Sequence, residues 1–173
     1  MMYEEEIDFD EHWSYTIMGN WRADHYFEDL FFICLESETD EEKKQVRPEN
    51  EFLDSMKILI GRCHDKLITF ARRQHSRLAY LVLGWFLMFF GGEFTEEIKE
   101  QILKYSEWKY EKLQFKTEEE KELRKKYLSE FREKIVNYIE GTPTLISEET
   151  LSDIYYNNGP WDLTPIKYYL RKM

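Results

Sequence analysis

The stretch from Leu78 to Phe90, LAYLVLGWFLMFF, runs for thirteen residues without a charge. It limits the possible folds of this chain more than any other feature. A membrane-spanning helix needs about 20 apolar residues, and this run is closed by Arg77 on one side and by Gly91-Gly92-Glu93 on the other. A surface helix carries its apolar residues in one stripe, whereas here every position is apolar or glycine. The consistent reading is a central helix surrounded by protein on all sides. The remaining residues must supply the elements that cover it. The whole chain has 173 residues, 42% hydrophobic and 17% aromatic, and a chain of this length buries roughly 70% of its unfolded surface without help from disulfides or metals.

The covering elements are written in helical spacing. Ala23, Tyr26, Phe27, Leu30, Phe31 and Cys34 recur at intervals of one, three and four, which predicts a helix from Ala23 that fades near Glu36. Residues 37–48 are polar and end in Pro48, predicting a loop, with Pro48 suited to the first turn of the next helix. Phe52, Met56, Leu59, Ile60, Cys63, Leu67 and Phe70 then predict a long helix to about Arg73, weakened at Gly61 by about 1 kcal/mol relative to alanine. The central helix follows over 76–90, and Gly91-Gly92 is suited to end it in the left-handed conformation.

Thr95 is placed to cap another helix, with Glu96 and Glu97 in its positive first turn. Ile98, Ile102 and Tyr105 mark its buried face, with Trp108 and Lys109 as a possible extension. Thr117-Glu118-Glu119-Glu120 has the form of a capping box. The helix behind it places Leu123, Tyr127, Phe131, Ile135 and Tyr138 on one side and the pairs Glu120–Arg124, Glu122–Lys126 and Glu130–Lys134 on the other. Gly141 and Thr142-Pro143 should stop it. Ser147 is expected to cap a short helix to about Tyr156, and Thr164-Pro165 to open a final stub. Residues 1–22 lack a sustained period and read as an irregular arm. The expected fold class is all-α: one domain over 1–173, a compact bundle of about six helices around the buried helix 78–90. Only 7 Gly and 4 Pro punctuate the chain, too few for the tight turns of a β-sandwich or barrel.

The net charge of −11 narrows the partners. Phosphate is gripped by Lys and Arg, so direct binding to nucleic acid is not expected, nor is binding to an anionic membrane. Attraction to a basic protein is what such a charge permits. The acidic start, Met1-Met2-Tyr3-Glu4-Glu5-Glu6, lacks the basic residues and apolar run of a signal peptide. Cys34 and Cys63 both sit among apolar neighbours and read as small buried hydrophobes. The expected location is cytoplasmic.

Catalytic motifs are sparse. The sequence holds no glycine-rich phosphate loop, nucleophile elbow or Cys-x-x-Cys pair. Its four histidines are His12, His25, His64 and His75, and the ordinary reading places them at helix surfaces making hydrogen bonds. A metal site from His25, His64 and His75 is one alternative. Another rests on the doublet His64-Asp65, with His25 before it and Asp153 long after, which resembles the metal-dependent phosphohydrolases named after that doublet. There imidazole and carboxylate hold an ion that activates water. The doublet here lies in Arg62-Cys63-His64-Asp65-Lys66, without the small residues that usually follow it. We expect no catalytic residues and no cofactor.

The candidates for binding are carboxylates grouped with tryptophan: Asp8, Asp10, Glu11, Trp13 and Trp21, then Asp40, Glu41 and Glu42. Carboxylates meet a basic surface, and tryptophan is enriched where binding energy concentrates. Residues 79–146 also resemble an uncharacterised family of small helical microbial proteins. The resemblance lies in Leu83-Gly84-Trp85-Phe86-Leu87-Met88 before Gly91-Gly92, and in Phe131 to Tyr138 before Gly141-Thr142-Pro143-Thr144. It brings no functional residues. Proteins of this type are similar in size and acidity to the immunity proteins that neutralise bacterial toxins. The expected function is therefore a binding inhibitor of a basic protein, such as an immunity protein. A viral protein that blocks a host nuclease by imitating DNA is the alternative, and a metal-dependent phosphohydrolase the third reading.

Overall fold

A computed structural model of the chain describes residues 15–44 and 52–144. The expectations for residues 1–14, for Pro48 and for the segments beginning at Ser147 and Thr164 lie outside the described residues. Within them the chain is all-α: α1 (Trp21–Glu36), α2 (Asp40–Lys44), α3 (Phe52–Arg73), α4 (Arg77–Phe90), α5 (Glu96–Tyr105), a 3-10 turn (Trp108–Tyr110) and α6 (Glu118–Val136). No strand occurs among the described residues, and no helix there is long and apolar enough to cross a membrane.

Every residue of α4 is buried, as its uniform composition requires. α1 and α3 pack against each other and against one side of it, while α5 and α6 close the other. Ser76 caps its start by accepting from the Ala79 N–H. At its end Gly91 takes φ 73°, the Gly92 N–H bonds to Leu87 O at 2.7 Å and the Gly91 N–H to Met88 O at 3.2 Å. This is the reciprocal pair of bonds that closes a helix through a left-handed residue. A side chain at Gly91 is excluded twice, by its φ and by backbone of Gly141 and Pro143 about 3 Å from where a Cβ would sit.

Gly84 serves a different purpose. A Cβ there would stand 3.1 Å from Ile102 Cγ2 and 3.2 Å from Phe131 Cζ, so its absence lets α5 and α6 approach α4 closely. Gly84→Val should therefore lower stability by about 1–3 kcal/mol through overpacking, although valine is the better helix former. A fall in the urea midpoint at unchanged slope is the expected reading.

Several sequence expectations need correction. α1 begins at Trp21 rather than Ala23, because Asn20 accepts from the Ala23 N–H at 2.9 Å and caps it. Residues 15–20, the described end of the arm over 1–22, are irregular as expected, and Thr16, Ile17, Met18 and Asn20 there are buried. The loop at 37–48 contains α2, opened by a reciprocal box in which Thr39 Oγ1 accepts from the Glu42 N–H and Glu42 Oε1 from the Thr39 N–H. α5 does not run on to Trp108 and Lys109. Ser106 ends it, and the 3-10 turn follows. α6 stops at Val136, before Gly141.

The largest correction concerns Arg124. It was expected on a solvated face beside Glu120, and it is fully buried. Its Nε and Nη2 donate to Glu111 at 2.7 and 2.9 Å, and its Nη1 to the carbonyls of Tyr15 and Thr16 at 3.0 and 2.9 Å. Buried Arg77 donates to the same carboxylate at 3.3 Å and to Tyr105 O at 2.7 Å, with its guanidinium 5.4 Å from the centre of the Tyr110 ring. One carboxylate thus joins two guanidiniums. The cluster ties the turn before α1, the start of α4, the 3-10 segment and α6 into one piece.

Candidate functional site

α1 has two faces of opposite character. Ala23, Phe27, Leu30, Phe31 and Cys34 point inward and are buried. The outer face follows the same helical period one step round: Trp21, His25, Asp29, Phe32 and Glu36 are all exposed. Trp21 and Phe32 keep 43% and 44% of their surface accessible, uncommon for rings of that size on a helix with an apolar core to fill. The His25 ring lies 6.4 Å from that of Trp21.

The electrostatics of this face are unfavourable to the isolated chain. Burial pushes the Glu28 and Asp29 carboxyls above their ordinary values, and His25 offsets the effect only in part. Glu36 stands in the last turn of α1, which holds no basic residue, against the negative end of the helix. Asp40 and Glu41, in α2 just beyond it in the chain, are exposed. Exposed acidic and aromatic side chains thus share this region, the chemistry that meets a cation with an aliphatic stem or a guanidinium.

The sequence-based binding candidates divide. Asp8, Asp10, Glu11 and Trp13 lie outside the described residues. Trp21, Asp40 and Glu41 are exposed as expected. Glu42 is engaged: Arg62 donates to it at 2.6 Å, and that bond, with the one to Thr39, holds its carboxyl down to about 2. It serves as a cap and a tie to α3. Phe32 was missed, hidden in the run Leu30-Phe31-Phe32-Ile33.

The metal candidates do not converge. His64 Nε2 donates to Glu93 O at 2.6 Å. It lines a groove of about 720 Å³ with Lys57, Gly92 and Glu140. Asp65, next in sequence, lines a separate groove of about 400 Å³ with Ile33 and Phe70, and His25 lies at the start of α1 beside Trp21. Among the described residues no three His, Cys, Asp or Glu side chains are grouped to hold a metal ion. His75, at φ 51° in the turn between α3 and α4, is exposed.

No protein-family model, curated protein or solved structure matches the chain. The reading of the site accordingly rests on its chemistry.

Proposed function

We propose that this chain is a stoichiometric binding protein that occludes a basic protein partner, in the manner of an immunity protein neutralising a toxin, and that the outer face of α1 with the adjoining α2 meets that partner. The observation that carries this reading is the alternation of exposed aromatic and acidic residues along one helix face. Trp21 and Phe32 supply desolvated contact area and Asp29 and Glu36 supply charge, the combination found where interface energy concentrates. Asp40 and Glu41 lie at the rim, where they speed encounter and set its salt dependence more than they add affinity. The net charge of −11 acts in the same sense over longer range.

A DNA mimic requires an extended face of carboxylates. Aromatic side chains interrupt the α1 face, which favours recognition of a protein surface. The test is capture on immobilised full-length chain, followed by binding measurements on the captured species. A basic protein should be retained at low salt, and Trp21→Ala or Phe32→Ala should each weaken it by at least about 10-fold, with little change in the thermal midpoint of the chain. Failure to retain any basic protein at low salt, or binding indifferent to both substitutions, would sink the proposal.

A further inference from the structure

Cys34, in the last turn of α1, and Cys63, in the middle of α3, meet across the interface of the two helices. Both are buried, and their sulfur atoms stand 3.5 Å apart in a thiol–thiol contact. Buried cysteines serving only as small hydrophobes have no need to face each other. A disulfide requires about 2.05 Å between sulfurs, so closure here asks for about 1.5 Å of approach, within reach of small side-chain rotations and a slight shift of α1. We infer that Cys34 and Cys63 form a reversible disulfide that staples α1 to α3 when a low-molecular-weight disulfide is present.

The two thiols are not equivalent. The hydrogen-bonded contact with Cys34 holds the Cys63 thiol below the ordinary cysteine range despite burial, with Lys66 contributing in the same direction. The same contact, with burial, pushes Cys34 up. With Lys66 one turn along α3 from Cys63 to favour its thiolate, Cys63 is the attacking group and Cys34 the resolving one. The Cys63 thiolate attacks one sulfur of the small disulfide, forming a mixed disulfide and releasing one small thiolate. Cys34 then gives up its proton and attacks Cys63 Sγ. The intramolecular bond forms as the second small thiolate departs. Two protein thiols are oxidised, one small disulfide is reduced to two thiols, and the protons end on those thiols or in solvent.

Access comes from the end of α1. Cys34 lies two residues before the helix ends at Glu36, and that last turn holds an acidic residue and no basic one. Ser37 closes it, donating from Oγ to Cys34 O at 2.6 Å. Opening a single helical turn at a terminus belongs to the low-cost end of local unfolding, and it lifts Cys34 from its contact with Cys63. The disulfide would close a loop from 34 to 63 that contains α2, restraining the unfolded chain considerably.

The experiment holds the folded full-length protein in excess oxidised glutathione, then reads intact mass, free thiols after denaturation and the linked peptides. The expected result is a loss of two hydrogens, no free thiol, a peptide joining 34 to 63 within one chain, and a thermal midpoint raised by about 5–10 °C. Dithiothreitol should reverse all four. In Cys34→Ala the reaction should stop at a glutathione adduct on Cys63. The inference is overturned if, in wild-type protein held folded in the oxidant for a day, both thiols stay free. It is equally overturned if Cys63 carries only glutathione beside a free Cys34, or if the bond joins two chains.

Discussion

Glu111→Gln is expected to lower the unfolding free energy by about 3–5 kcal/mol, because it leaves the guanidiniums of Arg77 and Arg124 buried without a counter-charge. For a chain of this size that is roughly 10 °C in thermal midpoint. The geometry explains why the carboxylate survives in the core. Burial alone pushes Glu111 toward the neutral form, but the charge and hydrogen bonds of Arg124, and then of Arg77, outweigh it, and the carboxyl lies below its ordinary value. A group depressed in this way contributes stability that is fully present above its unfolded value, about 4.3, and is lost as pH falls through the folded one. The gap between wild type and Glu111→Gln should hold above about pH 5 and narrow below about pH 4. Replacing all three residues together, as Arg77→Met, Glu111→Leu and Arg124→Met, should restore most of the loss, since well-packed apolar residues often replace a buried ion cluster at no net cost. If Glu111→Gln changes the urea midpoint by less than about 1 kcal/mol equivalent, the cluster does not hold the fold as described.

Arg124 also shows where sequence reasoning stops. Helical spacing finds buried faces by counting apolar residues, and a charged residue on such a face is assigned to solvent. Arg124, Leu128, Phe131 and Ile135 form one buried stripe at intervals of four, three and four. An arginine at its head reads instead as half of an exposed pair with Glu120. Its true partner is Glu111, thirteen residues away, and the second guanidinium lies thirty-four residues from that carboxylate. No local pattern encodes pairing at that range. The elements that were legible are those whose cause is local: the cap of α5 by Thr95, the cap of α6 by Thr117, and the stop at Gly91. α2 falls between these cases. Its Thr39-x-x-Glu42 box is present in the sequence, but five residues are too few to display a stripe.

The candidate face was half legible for a related reason. Trp21 stands out in any reading that looks for exposed aromatics near carboxylates. Phe32 does not, because the six consecutive apolar residues from Leu30 to Leu35 mask the change of face. The signal was available in the phase: counting from Trp21 through His25 and Asp29 arrives at Phe32 and Glu36, while Phe27, Leu30 and Phe31 fall on the other side. The thiol pair across α1 and α3 is a different matter. Both cysteines were read as buried, and nothing in either neighbourhood announces that they touch.

Phe27→Ala is expected to cost about 3–5 kcal/mol, and the same substitution at Phe32 less than about 1 kcal/mol. The contrast measures the two faces of α1 directly. Phe27 is almost wholly buried, and its ring meets Trp85 at 5.7 Å and Phe86 at 5.3 Å in edge-on geometry, with Phe90 at 6.3 Å. Truncation removes those ring contacts and leaves a void in the seam between α1 and α4, which close-packed neighbours fill only in part. Phe32, 44% exposed, leaves a much smaller void. The two variants should separate cleanly: Phe27→Ala with a large drop in urea midpoint, Phe32→Ala with a midpoint near wild type and weakened capture of the basic partner. Equal losses of stability at both positions would mean that Phe32 is a packing residue, and the α1 face would lose its claim to be a binding surface.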